Sequence, residues 1–147
     1  MSEERLQPNR DDIDSVWTWT LKRATHRVER EMSAWIAEWG LSPIQFGILA
    51  QLAAEGQMTV AELARACLVQ PQSAAKVIDG MVAKGLLERE GARAKGRANP
   101  LRLSENGRSL IETAWPKFVT ANDSSTFGLT SADRKRLNEI LHRLRDP

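Results

Sequence analysis

Apolar residues recur at helical spacing along most of the chain, and the first run is the longest. Ile13, Trp17, Leu21, Ala24, Val28, Met32, Trp35, Ile36 and Trp39 step by threes and fours, which traces one stripe of a helix. No Pro or Gly interrupts it, so the spacing predicts a single helix over 12–38, about 40 Å long at its full rise. Gly40 supplies the stop. A helix of that length overhangs a domain of this size, and part of its stripe is expected to pack on another element or another chain.

Four further helix starts are marked by capping chemistry. Ser42-Pro43-Ile44-Gln45 and Thr59-Val60-Ala61-Glu62 have the spacing of capping boxes, the first with Pro preset at N1. Ser104 is placed to cap a helix carrying Leu110, Ile111, Ala114, Trp115 and Phe118. Thr130-Ser131-Ala132-Asp133 opens a last helix with Leu137, Ile140, Leu141 and Leu144 on one face. Pro71, with Gln70 before it, marks one more start. The polar run Thr120 to Phe127 reads as the most flexible stretch after the termini. Only 86–103 reads as extended: 86–90 and 100–103 flank a basic, Gly-containing tip, the pattern of a short hairpin.

Two short helices joined by a tight turn and followed by a hairpin make a winged helix-turn-helix. Thr59 to Ala66 is its first helix, Ala66 to Gln70 the turn, and Pro71 to Lys84 the second. Ala74, Val77, Ile78, Met81 and Val82 form the buried face of the second helix, leaving Gln72, Ser73, Ala75, Lys76 and Asp79 outward. Amide, hydroxyl and lysine side chains at the start of such a helix suit base edges and phosphates in a major groove. Gln70, Gln72, Ser73 and Lys76 are therefore the candidate DNA contacts on this element. By themselves they fit an ordinary solvated helix face equally well. The hairpin tip adds weight, because Arg93, Lys95 and Arg97 sit on a loop that buries nothing. Arg97 is the best placed to enter a narrow minor groove.

Charge sharpens that picture. The formal net charge is only +2. Residues 56–104 hold eight basic and four acidic side chains, so this segment is +4 and the rest of the chain −2. An asymmetry of this kind is the footprint of a region that faces phosphates.

The blocks Leu41-Ser42-Pro43-Ile44-Gln45-Phe46-Gly47-Ile48-Leu49, Thr59-Val60-Ala61-Glu62-Leu63-Ala64, 77–89 and Leu103-Ser104-Glu105-Asn106-Gly107 resemble, in order and spacing, the MarR family (multiple antibiotic resistance regulators). The similar stretch covers about 41–107, and the flanking helices match in length and arrangement. The resemblance implies a mainly α (α+β) winged helix-turn-helix with about six helices and one β-hairpin wing. It implies a single domain over 1–147, in which 12–40 and 105–147 form the dimerisation region and 41–104 the DNA-binding part. It also implies a homodimer on a pseudo-palindromic operator in double-stranded DNA, often relieved by a small, frequently phenolic or otherwise aromatic ligand.

Two departures stand out. The family wing commonly carries Asp-Arg-Arg, where this chain has Lys95-Gly96-Arg97, so the acidic brace is absent and a less ordered wing is expected. Leu68 stands where the turn often has Gly, and the turn is expected to persist with a slightly different backbone.

Other chemistry finds little support. Five of the eight aromatics are tryptophans, four of them on the first helix; Trp17, Trp35 and Trp39 follow the stripe and Trp19 leaves it. Core or dimer packing accounts for them, with Trp17, His26 and Trp39 as candidates for an aromatic effector pocket. Cys67, beside the turn, reads as an inert thiol. His26, His142 and Cys67 lie on separate elements without the paired spacing of a metal site, and no cofactor is expected. Neither a phosphate loop nor a nucleophile elbow is present, so an enzyme is not expected. A polar N-terminus, a lone cysteine and no long apolar run point to a cytoplasmic, nucleoid-associated protein without membrane contact. The competing reading is a winged helix used for protein interaction without sequence-specific DNA binding.

Overall fold

The structure, a computed structural model, describes residues 7–91, 99–124 and 127–145. Its elements run α1 (Arg10–Asp14), α2 (Trp17–Ile36), a 3-10 turn (Ala37–Trp39), α3 (Pro43–Glu55), α4 (Val60–Ala66), α5 (Pro71–Ala83), β1 (Leu87–Arg89), β2 (Leu101–Leu103), α6 (Glu105–Ser124) and α7 (Ser131–Arg145). The mainly helical architecture with one hairpin is as the sequence predicts. The chain divides into two compact units, Met1–Pro43 and Ile44–Pro147.

In the first unit the predicted single helix is broken. Asn9 caps α1 through a reciprocal box with Asp12, at 2.8 Å in each direction. The chain then turns at Ser15, whose hydroxyl donates back to the Asp12 carbonyl at 2.7 Å. Val16 takes an extended ψ of 97° and α2 begins at Trp17. Side-chain bonds to nearby backbone offer the chain an alternative to continuing the helix, and apolar periodicity does not register them. α2 carries one buried residue, Ile36. Trp17 is 63% exposed and Trp19 46%, the latter with the Lys22 ammonium 5.5 Å from its ring.

The second unit holds a core built from every element but the last. α3 contributes Phe46, Ile48, Leu49 and Leu52; α4 contributes Leu63 and Ala64; α5 contributes Ala74, Ile78 and Met81. Leu87, Leu101 and Leu103 close it from the hairpin, and Ile111 and Ala114 from α6. Each fully buried aliphatic side chain contributes about 1.5–3 kcal/mol. The strands are antiparallel, with Leu87 opposite Leu103 and Arg89 opposite Leu101. A contact that the sequence did not signal adds a third edge: Met58 and Leu101 exchange two backbone hydrogen bonds, at 3.1 and 2.8 Å.

α6 runs further than expected. Thr120 to Ser124 are helical, with the Thr120 hydroxyl donating to Pro116 and the Ser124 hydroxyl to Thr120. Their polar groups are met inside the helix, so a polar run need not be a loop. α7 starts on the predicted box: Thr130 and Asp133 exchange backbone-to-side-chain bonds at 3.1 Å. The Thr130 hydroxyl, at 2.8 Å, and the Thr130 amide both donate to the Asp133 carboxylate and hold it below its ordinary value. α7 has no buried residue, and its Leu137, Ile140 and Leu144 are 41–50% exposed.

The turn after α4 is a Schellman motif: the Val69 amide reaches Ala64 at 3.0 Å and the Leu68 amide reaches Arg65 at 3.3 Å. The motif needs a left-handed residue at its C′ position, and Leu68 takes it, at φ 56°. The backbone therefore does not adjust to avoid the non-glycine residue. α5 ends on the same motif with Gly85 in that place, the Leu86 amide reaching Met81 at 3.0 Å. A left-handed L-residue costs about 1–2 kcal/mol, and Leu68, at 92% exposure, recovers little by burial. Leu68→Gly should therefore raise stability by up to ~1 kcal/mol after the entropy of an added glycine is deducted. A thermal melt checks this; a lowered Tm would mean that the leucine side chain is held by something else.

Candidate nucleic-acid interface

The helix-turn-helix is set by local chemistry at each end. Thr59 caps α4, with its amide 2.7 Å from the Glu62 carboxylate and its hydroxyl accepting from the Glu62 amide at 3.2 Å. Pro71 occupies the first turn of α5, and the cap position Gln70 makes no side-chain cap bond, which leaves its amide for other partners. Ala74, Ile78 and Met81 fix the inner face of α5. Gln70, Gln72, Ser73 and Lys76 are all exposed. The structure therefore brings these four predicted residues together on one outer surface at the N-terminal half of α5. Ala75 is half-buried and belongs to that surface less than expected.

Asp79 faces outward, as its helical phase predicts, but it is engaged. Its carboxylate pairs with the Arg89 guanidinium of β1, tying the outer side of α5 to the base of the hairpin. Across the hairpin Arg102 bridges Glu88 and Glu90, each at 3.1 Å. Two of the eight cations counted over 56–104 are thus consumed with three of the four acids. Arg65, Lys76 and Lys84 are exposed and make no ion pair among the described residues. Arg93, Lys95 and Arg97, and with them the expected order of the wing, lie outside the described residues. The hairpin base that carries them is held on both sides, by α5 through Arg89 and by Met58 through Leu101.

Ser104 caps α6 as the sequence predicts, and it also joins α6 to the end of α5, which capping and periodicity do not signal. The Ser104 hydroxyl donates to the Gly85 carbonyl at 2.6 Å and accepts from the Gly107 amide at 3.0 Å. The Ser104 amide donates to the Leu86 carbonyl at 3.1 Å. A Cβ on Gly107 would stand 2.1 Å from that same carbonyl oxygen. Gly107 closes the last of the family-like blocks; the reason for glycine there is this backbone approach, which no spacing rule registers.

The other candidates stay apart. Trp17 and Trp39 stand 22 positions apart along α2 and its 3-10 extension, about 30 Å at helical rise, with His26 exposed between them. One pocket within one chain does not hold all three. Burial pushes the Cys67 thiol up from its ordinary value, and its sulfur lies 3.4 Å from where a Cβ on Gly47 would be. A thiol of that kind is a poor nucleophile. No group of three metal-ligating side chains and no helix long and apolar enough to cross a membrane occur among the described residues.

Residues 39–98 match the sequence profile of the MarR family. The HTH-type transcriptional repressor Rv2887 of Mycobacterium tuberculosis is 27% identical over 131 residues, 89% of this chain and 94% of the relative. Its crystal structure in complex with salicylic acid superposes with a TM-score of 0.71 over 89% of this chain and 97% of that one. Two solved structures at 23% identity share the fold with a TM-score of 0.81. One is Bordetella bronchiseptica BpsR, whose DNA binding is regulated by 6-hydroxynicotinic acid, aligned over 96% of this chain and 99% of that one. The other is the repressor CouR bound to a 23-mer DNA duplex, aligned over 95% and 99%.

Proposed function

We propose that the chain, which matches the MarR family over residues 39–98 and is 27% identical to the repressor Rv2887, acts as a MarR-type homodimeric repressor on a pseudo-palindromic operator. The observation that carries the reading is the outer face of α5. Gln70, Gln72, Ser73 and Lys76 are exposed there beside a hairpin base fixed by the Asp79–Arg89 pair. Two such helices enter successive major grooves about one helical turn apart. Gln72 and Lys76 are given the base edges, Gln70 and Ser73 the backbone or a base edge, and Arg93, Lys95 and Arg97 the flanking phosphates and minor groove. The structures of CouR on a DNA duplex and of BpsR support this use of the fold.

Dimerisation is supported by the apolar side chains left exposed on three helices, Trp17 and Val28 on α2, Trp115 and Val119 on α6, and Leu137, Ile140 and Leu144 on α7. A small aromatic effector that changes DNA affinity is proposed by analogy with the salicylate complex of Rv2887 and the 6-hydroxynicotinic acid response of BpsR. Trp17, His26 and Trp39 remain its candidate contacts, acting at separate points or from different subunits. An effector need only bind one spacing of the two α5 helices more tightly than another to make DNA affinity conditional.

A binding selection on genomic fragments with purified protein tests the reading and returns the operator. Failure to enrich any sequence would favour the protein-interaction alternative. On the enriched operator, Arg97→Ala should weaken binding to all sequences and reduce the slope of log affinity on log salt by about one phosphate contact. Unchanged affinity at moderate salt would remove the wing from the interface.

A further inference from the structure

Among the described residues of 44–104, Leu68 is the one large apolar side chain that stands exposed, at 92%. The other exposed large hydrophobics of the second unit, Trp115, Val119, Leu137, Ile140 and Leu144, lie on α6 and α7. Leu68 sits in the turn between α4 and α5, and the two Schellman hydrogen bonds through the Leu68 and Val69 amides hold it there. Val69 is half-buried, while Leu68 and Gln70 on either side of it are exposed. An exposed leucine is ordinary on a protein surface. One held at φ 56° is not, because an L side chain is strained there and this one buries too little to offset the strain. Residues held in such conformations cluster where a ligand is gripped.

Position and chemistry say which ligand. The Leu68 Cα is at most about 7.6 Å from that of Gln70 and about 11 Å from that of Pro71, the first residue of α5. The N-terminal end of a reading helix is the end that meets base edges, so Leu68 stands beside the part of α5 that goes into the groove. The major groove presents one apolar group, the C5-methyl of thymine, and apolar side chains read it. Gln70, Gln72, Ser73 and Lys76 are all polar, so none of them is suited to that methyl. Leu68 is.

We infer that Leu68 is a specificity-determining residue of this chain, packing its side chain on the C5-methyl of one thymine in each half-site at the edge of the groove that α5 enters. The inference rests on the duplex reading and deepens it by naming a base and an apolar contact.

The test uses the purified full chain and the shortest duplex that the fragment selection enriches. Its thymines are replaced by deoxyuridine, one symmetric pair at a time, which removes the methyl and leaves every hydrogen-bonding edge in place. At one pair the unmodified protein should lose about fourfold in affinity for each methyl it covers. Leu68→Asn tolerates the left-handed turn but has no apolar end. It should bind the duplexes with and without methyls at that pair alike, and melt no lower than the unmodified protein, which separates a contact from a structural role of the turn. Leu68→Met should keep the preference. A full thymine preference in Leu68→Asn overturns the inference, as does its loss in Leu68→Met. An equal loss at every pair, or no pair at which deoxyuridine weakens binding, overturns it as well. In each of those cases, operator binding weakened by Gln72→Ala leaves α5 as the reading helix. A selection that enriches no duplex is instead the failure of the duplex reading, and this inference falls with it.

Discussion

Gly107→Ala is expected to lower stability by about 3 kcal/mol or more, which for a chain of this size is a fall in Tm of roughly 10 °C. The added methyl would meet the Leu86 carbonyl oxygen at 2.1 Å, more than an ångström inside contact. Neither side can yield cheaply. The oxygen belongs to backbone that also receives the Ser104 amide, and the glycine amide is bound to the Ser104 hydroxyl. Moving either one pulls on the end of α5 through the Ser104–Gly85 bond. Gly80→Ala is the control of opposite sign: that glycine is exposed, and a methyl added to it would have nothing within 4 Å. Removing a glycine from a helix interior should raise stability by about 0.5–1 kcal/mol. If both variants melted alike, the close approach at Leu86 would not be a constraint on the fold.

What the sequence discloses follows the range of the interactions concerned. Helix starts at Thr59, Ser104 and Thr130 are legible because a cap and its partner lie within three residues, so the signal and the bond are the same object, and the start at Pro71 because proline presets the first helical φ. The break at Ser15 escapes because apolar periodicity reports which face is buried, not whether the backbone is continuous. Gly107 and the Met58–Leu101 exchange escape because their partners are distant in sequence: 21 positions for Leu86 and 43 for Leu101. Asp79 shows the same limit at the site itself. Helical phase places it outward correctly, but phase cannot reveal that Arg89, ten residues on, claims it. Leu68 is the converse case, where the motif is legible and the residue breaks the preference, yet the Schellman hydrogen bonds keep the left-handed turn.

The Asp79–Arg89 pair bounds the reading surface of α5, and the second large effect belongs to that surface. Gln72→Ala and Lys76→Ala are each expected to weaken operator binding by about 1–3 kcal/mol, from fivefold to more than a hundredfold, and to relax preference at the bases they face. Both side chains are exposed, so neither truncation should move Tm by more than a degree or two, and loss of affinity would not be loss of fold. The two residues lie one helical turn apart on one face and share the groove, so the double variant need not show the sum of the two losses. Lys76 carries a charge and Gln72 does not; if Lys76 contacts phosphate, its loss should weaken all sequences alike and lower the salt slope by about one, whereas Gln72→Ala should leave the slope unchanged. Binding isotherms on the operator and on a scrambled duplex at three salt concentrations separate these cases. Equal affinity of both variants and the unmodified protein for the operator would mean that the outer face of α5 does not enter the groove, and the assignment of α5 as the reading helix would fall with it.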